Sequence, residues 1–478
     1  MIKLKYPLYE HQKRAYDKLK NLKVGSLNMD MGTGKTRTTL EIIKDKYNSG
    51  KIDKVIWFCP CSAKINIKKD MEKHILEGKE AFIIVGIESV SSSIALNSFL
   101  YEFVRKYRVF MVVDESTKIK NIDTKRSRRI IDLGSECKYR FILTGNPIPK
   151  NELDLFGQFY FLDWRILGYK SQWSFNRKHA VFHDEVYTRI VDTKNTDYLA
   201  KRIAPFSYRV KKDECLDLPK KIYDTRYFNM GDLEWEDYYI YSDYLLSLVN
   251  DWKPETIYRL FNILQGITAG FIYNMTDKGY IYKTGYKDTP ETNYRLKAFM
   301  DIIEEFQGKV IVYCQYQIEA KTIVDLLNKN YGENSAVLFD GTINTKQRNL
   351  NIERFRNGSR FLVANKSCAG FSLNLQFCNQ IIYYNNDWDY GTREQSEDRI
   401  NRIGQEYKCY YLDIICAGTV EEYIMDCLSK KEALGNRFLK ELKGNQDKDM
   451  KELLKEKIMP KRKRAPNYNL YEILDKEE

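Results

Sequence analysis

Histidine and paired cysteine are what this chain has least of. Only four histidines and ten cysteines occur in 478 residues, and no two cysteines form a CxxC pair. His179 and His183 have no cysteine nearby in sequence, so zinc-finger and zinc-ribbon spacings are excluded. The cysteines are scattered rather than framed, which fits a reducing compartment. Cys59 and Cys61 flank Pro60 in an apolar stretch and read as buried thiols. Long hydrophobic runs are also missing. Nothing approaches the roughly 20 apolar residues of a bilayer span, and the opening MIKLKYPLYEHQ has no apolar signal-peptide core. Membrane classes are therefore set aside.

What is present is basic charge and aromatic surface. Lys and Arg number 78 against 66 Asp and Glu, a net charge of +12, accompanied by 36 tyrosines. That balance suits a polyanionic partner. An AT-rich coding bias towards Lys, Ile, Asn and Tyr would leave the same mark. The length corresponds to roughly three domains, and a hydrophobic content of 43% is that of a soluble globular chain.

The chain is organised around Asn28–Thr36, NMDMGTGKT. An apolar run, Val24–Leu27, precedes it, and a helical pattern, Lys35–Asn48, follows. Strand, glycine turn, Lys-Thr and helix form the context of a phosphate-binding loop. Met31, Gly32, Thr33 and Gly34 would present backbone N–H groups to a phosphate, helped by the positive end of the helix. Lys35 adds a point charge for the β- and γ-phosphates, and Thr36 a hydroxyl for Mg²⁺. Met29 stands where the full GxxxxGKT pattern has its first glycine. A glycine turn before an ordinary helix is the competing reading. Ahead of the loop, Leu8–Leu22 has helical spacing and carries Gln12.

Short apolar runs then alternate with amphipathic stretches, which predicts βαβ units and a parallel sheet. The runs are Val55–Phe58, Phe82–Gly86, Val109–Val113 and Phe141–Thr144, nearly continuous as in strands covered on both faces. Asp114 and Glu115 lie just past the third of these, where parallel sheets bind ligands. Asp114 is placed to hold Mg²⁺ and Glu115 to deprotonate the attacking water; a helix N-cap would also account for the aspartate. Phe156–Lys201 interrupts the alternation with an aromatic, helical pattern. PFSYRVKKDECLDLPKK reads as a last strand and a crossing linker. Asp232–Ile272 is helical and rich in Tyr and Trp, and Gly279–Pro290 reads as a turn or hairpin.

Alternation restarts at Asn293. Helices at Tyr294–Phe306, about Ile318–Lys329 and Thr345–Arg356 separate apolar runs at Val310–Tyr313, Ala336–Phe339 and Phe361–Ala364. Further runs follow at Ile381–Tyr384 and Cys409–Ile415. This second α/β block has no phosphate loop. It carries EQSEDRINRIGQ, where Gln395, Arg399 and Arg402 fall on a helical period that places both arginines on one face. Arginine suits stabilisation of transferred phosphoryl charge, although a solvated face beside Glu397 and Asp398 explains the same pattern. After Glu432 the chain is charged, with PKRKRAP at Pro460–Pro466.

Taken in order, these motifs resemble those of superfamily 2 helicase-like ATPases of the SWI/SNF remodeller branch. LYEHQ resembles the branch's adenine-reading opening, and DMGTGKT its D-x-MG-x-GKT loop, in which the first glycine is also absent. DESTKIKN resembles DE-x-H-x-(L/I)KN with Thr117 in place of histidine. LTGNPIPKN resembles LTGTPIQN, differing at Asn146 and Lys150, and YRVKKDECLDLPKK resembles the basic crossing segment. ANKSCAGFSLNL resembles the glycine-rich motif with Ser372 replacing a glycine. NNDWDY keeps a tryptophan, Trp388, and EQSEDRINRIGQ resembles QAxDRxHRIGQ.

The resemblance covers about residues 6–430. It implies an α/β chain of two RecA-like parallel-sheet lobes with helical insertions, using ATP and Mg²⁺. The expected division is 1–220 for the ATP-binding lobe with an insertion at about 156–201, and 221–292 for a helical insertion and crossing region. The second lobe is expected at 293–430 and a charged tail at 431–478. Implied site residues are Lys35, Glu115, Arg399 and Arg402 for catalysis. Gln12, Met31–Thr36 and Gln395 are implied for nucleotide, and Thr36 and Asp114 for metal. Lys118, Lys120, Asn121, Lys211, Lys212 and Trp388 are implied DNA contacts. The implied function is a DNA-dependent ATPase that translocates on duplex DNA and displaces or remodels bound factors. A strand-separating helicase, acting on branched or single-stranded DNA, and a nucleotide-gated DNA-binding module are the alternatives. Its compactness suggests a phage or bacterial protein of the cytoplasm, with no membrane partner.

Overall fold

The computed structural model describes residues 1–149, 151–182, 190–247, 254–276, 279–366, 373–430, 455, 456 and 458. Lys150, His183, the middle of the glycine-rich motif including Ser372, and PKRKRAP lie outside the described residues. The chain divides into two compact units. The first comprises Met1–Leu218 with two short stretches from further along, one of them Arg402–Gly404, and the second takes the remainder from Pro219.

The first unit is built on six strands: β1 (Val24–Met29), β2 (Lys54–Cys59), β3 (Phe82–Gly86), β4 (Val109–Asp114), β5 (Tyr139–Thr144) and β6 (Ser207–Val210). They pair in the order β6-β1-β5-β4-β2-β3, all parallel. Parallel strands need helices on both faces, and β1 and β4 are buried along their whole length. In β1, Gly25 leaves room for the Phe141 ring of β5; a Cβ there would stand 2.8 Å from Phe141 Cζ. Helix α1 (Glu10–Leu19) precedes β1, and α2 (Lys35–Asn48) leaves its carboxyl end.

The expected aromatic insertion contains helices Leu155–Leu167, Gln172–His179 and Thr196–Ile203, but it is not helical throughout. Ala180–Phe182 and Ile190–Thr193 form an antiparallel ribbon. His179 is buried there, with Nε2 3.0 Å from the Tyr169 hydroxyl and Nδ1 3.2 Å from the Lys194 carbonyl. Cys59 is buried as expected, whereas Cys61 is exposed, 3.3 Å from Ser89 Oγ. The chain turns outward at Pro60, so only the residue before it stays in the strand.

The second unit repeats the architecture with β7 (Lys221–Phe228), β8 (Val310–Cys314), β9 (Ala336–Phe339), β10 (Phe361–Asn365), β11 (Gln380–Tyr383) and β12 (Cys409–Cys416). Their order is β7-β12-β11-β8-β10-β9, again parallel. The sequence reading left Lys221–Phe228 in the crossing region. It is instead an edge strand, with charged and apolar residues mixed on both faces and most of its length only partly buried. Asp224 accepts from Arg226 Nε at 3.0 Å and from the Tyr410 hydroxyl at 2.6 Å, satisfying its polar face. Helices Asp232–Ser247 and Pro254–Thr268 lead to a hairpin, Phe271–Met275 with Ile281–Tyr286.

At the centre of this unit Arg295 is completely buried and paired with Glu421. Its guanidinium also donates to the carbonyls of Ile414 at 3.0 Å and Thr268 at 3.3 Å, and stands over the Phe228 ring. Removing one partner of such a pair leaves an uncompensated buried charge. Arg295→Met is therefore expected to lower stability by about 3–5 kcal/mol, read as a shift in the urea midpoint. An unchanged midpoint would show that Glu421 finds another partner.

Candidate functional site

Between β1 and α2 the chain makes a tight loop whose shape depends on two glycines. Gly32 and Gly34 have φ of +81° and +90°, a left-handed conformation that costs side-chain-bearing residues energy. At Gly34 a Cβ would also strike the Gln12 amide. The loop braces itself: the buried Thr33 hydroxyl donates to the Asp30 carbonyl at 2.7 Å. The Lys35 ammonium folds back onto the Met29 carbonyl at 2.7 Å.

Helix α1 holds the loop from outside. Gln12 is buried, with Nε2 donating to the Thr33 carbonyl at 3.0 Å and Oε1 accepting from the Tyr9 N–H at 3.1 Å. His11 Nε2 lies 2.8 Å from the same carbonyl. His11 was not picked out in the sequence; its proximity to the loop depends on how α1 packs. Met31 lies within the loop, and Thr36 is half-buried in the first turn of α2.

The acidic pair stands at the carboxyl end of β4, the edge of the sheet that also carries the loop. Asp114 is buried and accepts from the Glu115 N–H at 3.0 Å. Burial, with the Glu115 charge adding to it, pushes the Asp114 carboxyl up to about 7, and the Lys35 charge works the other way. A desolvated acid of this kind favours an added cation. Glu115 itself has φ +54° and ψ +54°, one of few side-chain-bearing residues held left-handed. The short turn Ser116–Ile119 after it is anchored where the buried Ser116 hydroxyl donates to Gln158 Oε1 at 2.7 Å.

Lys118, Lys120 and Asn121 follow in this turn. Lys120 is engaged with Asp154 at 3.0 Å, and Asn121 Oδ1 accepts from the Asp123 N–H at 2.9 Å. Lys211 and Lys212 come just after β6, at the same sheet edge as the loop. Lys211 is exposed, and the Lys212 N–H donates to Asp30 Oδ2 at 3.0 Å, tying that segment to the loop.

In the second unit, Gln395 is half-buried on α3 (Tyr390–Glu397). The two arginines do not share a helical face with it, because α3 ends at Glu397. Beyond it, Arg399 O accepts from the Leu375 N–H at 3.1 Å, and Ile400 O from Gln405 Nε2 at 3.2 Å. Arg399 is buried in the resulting turn. Arg402 hydrogen-bonds the Asn374 side chain and lies in a stretch that packs as part of the first unit. Arg393 was missed; it is buried, paired with Asp413 and Glu397, and stacked 3.4 Å from the Tyr383 ring centroid. Its only sequence signal was the i,i+4 spacing to Glu397. Trp388 is half-buried against Tyr258 at 5.1 Å between ring centroids.

Among the described residues no three His, Cys, Asp or Glu side chains group as a metal cage. Nor is any helix there long and apolar enough to cross a membrane.

Residues 11–265 match the SNF2-related domain, and residues 294–404 the helicase conserved C-terminal domain. The chain belongs to the SNF2-related family of helicase-like ATPases. It is 26% identical over 440 residues to an uncharacterized ATP-dependent helicase of Mycoplasma genitalium, covering 87% of this chain and 40% of that protein. It is also 26% identical over 338 residues to YwqA, a putative ATP-dependent helicase/translocase of Bacillus subtilis, covering 68% of this chain and 35% of that one. The chain thus spans less than half the length of these relatives. Among solved structures it is similar to the Sulfolobus solfataricus SWI2/SNF2 ATPase core in complex with dsDNA. There the identity is 24% and the TM-score 0.39, covering 96% of this chain and 98% of that one.

The left-handed backbone at Glu115 is a cost that glycine would not bear. Glu115→Gly is expected to keep or raise stability, by up to about 1 kcal/mol, in urea unfolding. A clear loss of stability would mean that the side chain, not the backbone, holds the turn.

Proposed function

We propose that the chain is a DNA-dependent ATPase that translocates on duplex DNA and displaces or remodels what is bound there. The observation that carries this reading is the sheet edge where the two-glycine loop, Lys35 and the buried Asp114 with Glu115 converge. Membership of the SNF2-related family and the net charge of +12 support it.

In this reading Met31–Gly34 cradle the phosphates with backbone N–H groups, and Lys35 leaves the Met29 carbonyl to meet them. Gln12, whose amide is occupied on both sides in the free protein, exchanges one of those bonds for the base. Glu115 orients the attacking water and takes its proton. Mg²⁺ would supply charge for the phosphates. Thr36 and Asp114 would hold it, with phosphate and water completing its shell. Arg399 and Arg402 stabilise charge on the transferred phosphoryl group, and Gln395 lies on the helix leading to them. Lys118, Asn121, Lys211 and Lys212 present phosphate contacts to the DNA, with Lys120 exchanging Asp154 for the backbone and Trp388 contributing from the second unit.

Lys35→Ala is expected to abolish hydrolysis and weaken ATP binding. Glu115→Gln should keep ATP and DNA binding while turnover falls by at least about a hundredfold. Normal turnover in Glu115→Gln would remove that residue as the base. Arg402→Ala should leave ATP affinity nearly intact and lower DNA-stimulated turnover by roughly three powers of ten.

The track is tested separately, by ATPase stimulation and binding on duplex and single-stranded DNA across a salt series. Contacts to phosphate give affinity that falls steeply with salt and depends little on sequence. Triplex displacement without strand separation is the expected outcome on duplex DNA. Unwinding of a forked duplex would instead favour a strand-separating helicase. DNA binding without hydrolysis would favour a nucleotide-gated binding module.

A further inference from the structure

The turn that carries Arg399 and Arg402 is bound, side chain by side chain, to the first residues of the second unit. That unit begins at Pro219. The Pro219 carbonyl accepts from Asn401 Nδ2 at 3.1 Å, one residue before Arg402. Lys221 Nζ lies 3.0 Å from Glu397 Oε2 and 3.8 Å from Asp398 Oδ1. The Tyr223 hydroxyl donates to the same Glu397 oxygen at 2.7 Å.

Glu397 is the last residue of α3 and nearly fully buried. Its second oxygen accepts from Arg393 Nε at 2.9 Å. Arg393 in turn reaches Asp413 of β12, with Nη2 3.0 Å from Oδ2, and Asn386, with Nη1 2.8 Å from Oδ1. The Glu397 carbonyl starts the turn, accepting from the N–H groups of Ile400 at 3.3 Å and Asn401 at 3.2 Å. It also accepts from the Tyr411 hydroxyl at 3.2 Å. Glu397 therefore joins three things: through its carboxylate, the strand that follows the crossing point and a buried arginine, and through its backbone carbonyl, the turn itself.

Fold stability alone does not require this arrangement. Burial works against the Lys221 ammonium, and the neighbouring Glu397 and Asp398 charges more than offset it. A half-buried pair of this kind contributes little net stability compared with apolar packing. What it does supply is geometry. Arg393 fixes Glu397 from the sheet side, and Lys221 and Tyr223 fix it from β7. Asp398 and Asn401 are thereby tied to where β7 begins, and Arg402 follows directly on Asn401.

We propose that Lys221 and Glu397 are positioning residues for ATP hydrolysis, acting through the turn that carries Arg399 and Arg402. The proposal rests on the reading that those arginines serve the reaction. It adds that the start of β7 sets their aim. A misplacement of about 1 Å can cost up to a hundredfold in rate, so losing the link should register in turnover before it registers in folding.

The test is a double-mutant cycle in the full chain with Lys221→Met, Glu397→Gln and the pair, and with Lys221→Arg as the conservative variant. DNA-stimulated kcat, KM for ATP and the urea midpoint are read for each. Lys221→Met and Glu397→Gln are each expected to lower kcat by about ten- to a hundredfold, with KM and the midpoint close to wild type. The double variant should be no worse than the more damaging single one, since both remove the same link. Lys221→Arg, which keeps charge and reach, should recover most of the rate. Wild-type kcat in Lys221→Met, or losses that multiply in the double variant, would overturn the proposal. So would a kcat loss that follows a fall in the midpoint. Arg402→Ala in the same assay keeps the two readings apart. If it turns over normally, the role of the arginines is wrong; if it fails while Lys221→Met is normal, only the positioning role is wrong.

Discussion

The burial of the Asp114 carboxyl at the end of β4 is the constraint on which the first unit's chemistry depends. A carboxylate taken out of water there, with Glu115 beside it, disfavours its own charge. The nearby Lys35 ammonium offsets only part of that. On the proposed reading, this sheet end takes an anion carried with a cation. Gly32 and Gly34 hold the loop open to such a ligand, and Thr33 and Gln12 keep it from collapsing. The strained backbone at Glu115 belongs to the same arrangement. It turns the chain after the strand, so that two adjacent acids have different surroundings, Asp114 buried and Glu115 half-exposed.

In the second unit Arg399 lies on a turn beyond the end of α3. The unit's buried polar groups work as a frame. Arg295 with Glu421 joins the helix at Tyr294–Ile303 to the one at Val420–Ser429. Arg393 with Asp413 and Glu397 joins α3 to β12. Buried ion pairs are a poor source of stability, but they admit few alternative geometries. That property is useful where a turn, not a helix, must present a charge. Glu397 serves as the joint of this frame, because its two oxygens and its carbonyl are bound from three directions.

The two sheets are alike in plan but not in what they carry. Both have six parallel strands with functional candidates beyond their carboxyl ends, as parallel sheets dictate. Only the first has the glycine loop, while the arginine turn begins in the second and its Arg402 is grouped with the first.

Much of this was legible in the residues themselves. Continuous Val, Ile and Phe runs mark strands covered on both faces, so most of the strands in both sheets could be read directly. A glycine turn before Lys-Thr, and acids directly after an apolar run, mark candidate phosphate and metal ligands through local spacing, with an ordinary turn and a helix N-cap as the competing readings. Lys221–Phe228 was not legible as a strand of the second sheet, because its consecutive polar residues Asp224–Arg226 break the apolar run that marked the other strands. Neither was the end of α3 at Glu397. The periodicity of EQSEDRINRIGQ continues past it, although the helix itself does not. The contacts of His11, Arg393 and Lys221 were equally out of reach, since each acts on a residue brought near by packing. Sequence determined the elements and the reactive groups, because both follow from neighbours along the chain. Tertiary structure decided which groups are desolvated, which are paired and where each arginine is held, because those depend on neighbours in space.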